Sequence, residues 1–277
     1  MITANPFSDL FPAMVMQTYV IVMVLLVIAG TIIDMMHKKS AQYFFENSQK
    51  QEKNAKRSVS GGDKASAAVG VLLNEVLTSA EFANPQRRLS HLLTMYGFII
   101  FVVSTAVLIF AYPTSADAGI WAPLWHIGAA SLALGGYWFW FFIRVDVSAE
   151  GHKWYQLAKA DLFIVSALMT VTWGLIWSLA GGGLSGLNLL FFALFIISST
   201  TLFSTVLWSK FAHMFFKPAA AFQKRITKLD GSQENLPDVG ELTDPALQAR
   251  YPDIPEYMGT NPPNMGLGIK SEPPHHF

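Results

Sequence analysis

Residues 162–209 read LFIVSALMTVTWGLIWSLAGGGLSGLNLLFFALFIISSTTLFSTVLWS, and none of them is charged. A helix needs about 20 apolar residues to cross a bilayer, so this run is long enough for two crossings. Gly181, Gly182, Gly183 and Gly186 interrupt it near the middle and mark a turn between two helices. Open strands would leave backbone N–H and C=O groups unpaired in lipid, so the spanning elements are helices.

Working outward, three further uncharged runs cover residues 13–33, 92–112 and 121–143, beside 162–180 and 187–208. The predicted fold is an all-α integral membrane protein, a bundle of five transmembrane helices. Composition agrees. The 277 residues are 52% hydrophobic and only 14% charged, whereas a soluble domain carries about 25% charged residues. The first run lacks a basic segment before it and reads as an uncleaved anchor. No internal repeat is visible.

Net charge is zero, yet the charge is segregated. No Lys or Arg occurs in residues 1–37, 89–143 or 160–209. All 19 basic residues fall in the three segments that five crossings put on one side: 38–88, 144–159 and 210–270. The positive-inside rule then predicts an outside N-terminus and a cytoplasmic C-terminus. Tyr112, Trp121 and Trp125 fall where an outer aromatic belt belongs, and Trp138, Trp140 and Trp208 approach the inner interface. The predicted organisation is an N-terminus with the first span (1–37), a cytoplasmic loop with a short amphipathic helix (38–90), a four-span core (91–213) and a cytoplasmic Pro-rich tail (214–277). Within the loop, residues 46–64 read as flexible. Asp63 or Ser66 is a candidate cap for a helix carrying Val69, Leu72, Leu73, Val76 and Leu77. That helix suits a membrane surface, a partner, or its own bundle equally. The tail reads as a helical continuation of span five to about residue 229. Beyond it lies a segment too poor in periodic apolar residues to build a core, either disordered or ordering on a partner.

Several function classes fall away. Asp34, Arg144, Asp146 and Asp161 lie at inner span ends and none near a midplane, which argues against a proton pump or ion carrier. There is no nucleotide loop and no nucleophile–His–acid set, so no catalytic residue is assigned. The even charge balance argues against nucleic acid. With no cysteine, the chain holds no iron–sulfur cluster. Ser and Thr at 170, 172, 198–201, 204 and 205 suit helix packing.

Histidine remains. His91 opens span two and His213 follows span five, and antiparallel crossings bring both to similar depth at the basic end. Two imidazoles at one depth on facing helices are what a b-type haem needs. Arg87 and Arg88 precede His91 by four and three residues, while Lys210 and Lys217 flank His213. These cations are candidate partners for haem propionates. His and Arg at span ends also serve simply as interface anchors. His126 is a candidate quinone donor or an interfacial residue, and His37, His152, His275 and His276 receive no role.

The strings Arg87-Arg88-Leu-Ser-His91 through Tyr96-Gly97-Phe98, and Trp208-Ser-Lys210-Phe-Ala-His213-Met214, resemble five-helix membrane cytochrome b subunits of the nitrate reductase gamma and heterodisulfide reductase type. The tail string Glu256-Tyr-Met-Gly-Thr-Asn-Pro-Pro-Asn-Met-Gly-Leu-Gly-Ile-Lys270 is similar to the end of the membrane anchors that accompany adenylylsulfate reductase in sulfur-oxidising bacteria. The resemblance implies a non-catalytic subunit of an oxidoreductase complex in a bacterial inner membrane. It implies a cytoplasmic two-subunit flavin and iron–sulfur partner that oxidises sulfite to adenylylsulfate, with quinone as electron acceptor. It also implies His91 and His213 as axial ligands. Two-haem relatives carry further histidines where this chain has Phe101 and Phe195. The expectation is therefore at most one haem b, near the cytoplasmic face, with quinone met on that same side. The alternatives are a haem-free structural anchor and a small-molecule transporter.

Overall fold

The computed structural model describes residues 2–38, 40–80, 82, 84–145, 153–208, 213–232 and 245–250. Among them the chain is helical. In order come α1 (Ala13–Lys38), α2 (Ser40–Asn54), α3 (Gly61–Val71) with a π-helical extension (Leu72–Leu77), and α4 (Pro85–Phe110). Then follow α5 (Trp121–Trp138) with a π-helical last turn (Phe139–Ile143), and α6 (Leu162–Leu179) entered through a 3₁₀ turn (Lys159–Asp161). The last three are α7 (Leu187–Ser204), α8 (His213–Asp230) and α9 (Pro245–Arg250). Five of these, α1, α4, α5 with its π turn, α6 with its 3₁₀ turn, and α7, are long and apolar enough to cross a membrane.

Close approach of backbones builds the α4–α5 pair. A Cβ on Gly97 would lie 2.4 Å from the Leu132 nitrogen, and one on Gly128 would lie 2.6 Å from the Phe101 nitrogen. With lipid on one side there is no hydrophobic drive between helices, so contact area and interhelical hydrogen bonds hold them together. Ser90 Oγ donates to the Gly135 carbonyl at 2.8 Å and Ser131 Oγ to the Leu93 carbonyl at 3.0 Å. The α6–α7 hairpin turns where expected. Gly181, Gly182, Gly183 and Gly186 all carry positive φ, a conformation open to glycine at little cost. Trp177 Nε1 and Asn188 Nδ2 donate to carbonyls of that turn. Tyr19 ties α1 to α7 through Ser199 (2.7 Å) and Thr200 (3.1 Å).

At the end opposite the basic segments, residues before α1 fold back over the bundle. Asn5 Nδ2 donates to the carbonyls of Tyr112 and Ser115, and its backbone N–H donates to Ala116. This pins the segment and drives Phe7 into the core against Trp125 and Trp177.

Several expectations change. Span five ends at Ser204 rather than near 208, and it does not run on into the tail helix. Thr201 and Thr205 turn their hydroxyls back onto the carbonyls of Ile197 and Thr201, which competes with regular helix at its end. The chain then turns, and Val206 is buried against Gly30 of α1. A separate helix, α8, follows. Residues 46–54, expected to be flexible, are helical in α2. The cap of α3 is Ser60: its Oγ accepts from the Asp63 N–H at 3.1 Å. Trp125 and Trp140, expected in the interfacial belts, are buried. Exposed rings at the basic end include Trp208, as expected, together with Trp154 and Tyr155.

Candidate functional site

The site lies at the basic end, where the start of α4, residues 72–80 with Phe82, and α8 meet. Asn84 fixes the start of α4. Its side-chain oxygen accepts from the N–H groups of Gln86 (2.9 Å) and Arg87 (3.1 Å), with Pro85 in the first turn. This cap sets Arg87, Arg88 and His91 on the first two turns.

His91 is half-buried. Its Nδ1 lies 3.0 Å from Ser79 Oγ, and its ring centre lies 5.0 Å from that of Phe82. Ser79 is fully buried and has φ +48°, the left-handed region that a side chain rarely enters. Non-glycine residues persist there when surrounding structure over-determines them, and here it does. The Tyr96 hydroxyl donates to the Leu77 carbonyl at 2.6 Å, Arg88 Nε donates to the Thr78 carbonyl at 2.7 Å, and Ser79 meets His91. Three consecutive residues are each fastened to α4.

Phe82 collects the cations. The Arg87 guanidinium carbon and Lys217 Nζ each lie 5.6 Å from its ring centre. Lys217 belongs to α8, so α8 reaches the His91 site, and His213 is the first residue of that helix. The structure thus brings His91, Arg87 and Lys217 together. It directs Arg88 to the Thr78 carbonyl. The His213 side chain, Lys210 and the tail string 256–270 lie outside the described residues.

An imidazole held at Nδ1 acts through Nε2, and which nitrogen carries the proton decides what it can do. With the proton on Nδ1, the Ser79 oxygen accepts and Nε2 offers a lone pair to iron. With the proton on Nε2, Ser79 donates and the ring is a hydrogen-bond donor. Among the described residues no three His, Asp or Glu side chains gather as a bare metal ion would need. One imidazole on a helix, flanked by cations, fits the chemistry of haem ligation.

Phe101 and Phe195 sit in a packed aromatic cluster away from this end. Trp125 lies between them, 5.2 Å from Phe101 and 6.5 Å from Phe195, and Trp177 stacks on Phe195 at 6.1 Å. His126 is buried beside this cluster. Its Nδ1 lies 2.8 Å from the Ala122 carbonyl and its Nε2 lies 2.9 Å from Ser178 Oγ. Both ring nitrogens are therefore engaged within the bundle, which removes it as an interfacial quinone contact. Ser178 itself lines a cleft of about 500 Å³ at the N-terminal end, with Asn5, Asp9 and Gly182.

Sequence reasoning placed Arg144 and Asp161 at span ends but did not pair them. Arg144 is fully buried, and its Nη2 lies 2.5 Å from Asp161 Oδ2. It also donates to the Lys153 carbonyl (3.1 Å) and the Gln156 carbonyl (2.6 Å), and lies 4.2 Å over the Trp140 ring. The pair clamps residues 153–161, just before span four. Their shared depth at adjacent span ends was the available signal. Ser79 and Phe82 carried none, because neither a positive φ nor a ring contact is written in local sequence. No family model, curated protein or solved structure matches the chain.

Proposed function

We propose that the chain is a membrane anchor and electron-transfer subunit that docks a cytoplasmic flavin and iron–sulfur adenylylsulfate reductase and links it to quinone. The observation that carries this reading is the His91 site: a half-buried imidazole held by Ser79, with Arg87 and Lys217 on the neighbouring Phe82 ring, at the end that holds the described basic residues up to Lys228. In this reading the N-terminus is outside, the C-terminus is in the cytoplasm, and the membrane is a bacterial inner membrane.

A haem bound here would supply a one-electron carrier at the face where the partner docks. His91 would ligate through Nε2, with His213 as the second axial residue. Ser79 would hold the ring orientation and the proton on Nδ1. Arg87 and Lys217 would neutralise propionates, with Lys210 beside His213 in the sequence. The Phe7–Phe101–Trp125–Phe195 packing supports a single carrier, since aromatic side chains fill the opposite half of the bundle. A haem-free anchor is the second reading. It is favoured by Phe82, whose ring already covers His91 at 5.0 Å.

The test is purification of the tagged full-length chain from its native membrane. The proposal expects the flavoenzyme to co-purify and a reduced-minus-oxidised b-type spectrum that His91→Ala abolishes. It also expects removal of residues 250–277 to release the flavoenzyme. An assembled complex with no such spectrum leaves the haem-free anchor. A purified chain without the flavoenzyme overturns the docking role.

A further inference from the structure

Outside the five spans, an apolar face has no protein against it among the described residues. α3 and its π extension turn one side to α8: Ala67 and Val71 are buried, and a Cβ on Gly70 would meet the Arg225 guanidinium. Glu75 faces Arg225 at 3.4 Å. The other side carries Val69, Leu72 and Leu73, exposed by 54%, 52% and 50%, and Leu77, exposed by 39%.

The Tyr96–Leu77 hydrogen bond sets the depth of this face. The last charge at the start of α4 is Arg88, and the uncharged stretch from Leu92 to Phe110 rises ~27 Å as a helix, close to the ~30 Å of a hydrocarbon core. Tyr96 is one turn inside that stretch. Side chains on a helix lean toward its N-terminus, so the Tyr96 hydroxyl returns to about the level of Leu92, the hydrocarbon boundary. That hydroxyl donates to the Leu77 carbonyl. On α4 itself, Leu89, Tyr96 and Ile99 are exposed beside this contact and form the lipid-facing strip of the span. The exposed leucines of 72–77 continue that strip.

We propose that residues 69–77 form a re-entrant interfacial segment, with Val69, Leu72, Leu73 and Leu77 seated in the acyl boundary of the leaflet at the basic end. The occupant of this face is lipid. A water-soluble partner could not reach Leu77 without stripping lipid from α4, whereas an interfacial helix buries its apolar face ~5–10 Å into the headgroup–acyl boundary. Ser79 and Phe82, which contact the His91 imidazole, follow this segment in the chain. The inference goes beyond the proposed function and needs neither haem nor a partner.

The natural absence of cysteine makes the test clean. Single cysteines at Val69, Leu72 and Leu73, with Lys64→Cys as a reference, are spin-labelled in the full chain. The protein is then placed in vesicles of phosphatidylethanolamine and phosphatidylglycerol. Labels at 72 and 73 should collide with oxygen and be hidden from a water-soluble nickel chelate, with the reverse at 64 and an intermediate response at 69. The chelate reaching 72 and 73 as freely as 64 would overturn the proposal in favour of a water-exposed docking face. Exclusion of both reagents would overturn it in favour of a protein contact, including a second copy of this chain. All these sites are exposed, so labelling leaves packing intact, and agreement between 72 and 73 guards against one disturbed position.

Discussion

Arg144 shows how one charged residue is made tolerable at a span end. Its guanidinium has no solvent exposure. Its two Nη groups are met by Asp161 and two loop carbonyls and its plane lies over Trp140, while Nε has no hydrogen-bond partner among the described residues. The Asp161 carboxylate also accepts from the Ala158 N–H at 2.8 Å, so the pair fixes both ends of the loop 153–161. Breaking a buried pair from one side leaves an uncompensated charge and costs about 3–5 kcal/mol. Asp161→Ala should therefore lower the thermal unfolding midpoint of the detergent-solubilised protein strongly. The double variant Arg144→Met with Asp161→Leu should recover most of the loss, because no lone charge remains. Equal midpoints for the single and double variants would show that the loop contacts, rather than the charges, hold this end.

At the scale of elements, α4 and α5 depend on three glycines rather than on large side chains. Gly97 and Gly128 place each helix backbone against the other, and Gly135 lies against Leu93 and the Ser90 carbonyl. Gly97→Val would push Cβ into the Leu132 backbone, which cannot rotate away as a flexible side chain would. Overpacking typically costs about 1–3 kcal/mol, and more is expected where backbone must move. The variant should show a clear drop in thermal stability with the near-ultraviolet signal of the Trp125 cluster altered. Gly61→Ala, at the exposed start of α3 where nothing lies within 4 Å of the added Cβ, should change neither. Elements of this kind were legible in the sequence to the extent that they follow from burial in lipid. The five apolar runs and the Gly181–Gly186 turn are written as uncharged length and glycine spacing. The break after Ser204 was not legible: the Thr201 and Thr205 back-bonds only weaken the helix there, and the turn is held by Val206 packing on Gly30, a residue far away in the chain. The His91 site was half legible. His91 and Arg87 stand on one helix at a readable spacing. Ser79 and Phe82 reach them only because residues 77–79 are fastened to α4 by tertiary hydrogen bonds.

For the whole molecule, orientation decides which compartment the His91 site serves. Five crossings place the segment before α1, the loop 111–120 and the turn 181–186 at one end, and the Ala4–Asp117 bridge and the shared cleft join these three in space. The loop holding α2 and α3, residues 153–161 and α8 share the other end with the described basic residues up to Lys228. Lys and Arg in short loops resist translocation and are retained in the cytoplasm, so the basic end should face inward. The cysteine-free chain allows a direct measurement. Ser185→Cys and Ser58→Cys both lie at exposed positions, at opposite ends of the bundle. In intact cells a membrane-impermeant maleimide should label Ser185→Cys at once, and Ser58→Cys only after permeabilisation. The inverse pattern would put His91, Arg87 and Lys217 outside and leave a cytoplasmic flavoenzyme no face to dock on, whatever the spectrum of the purified chain. The labelling therefore tests the proposed partnership through geometry alone, independently of whether haem is bound.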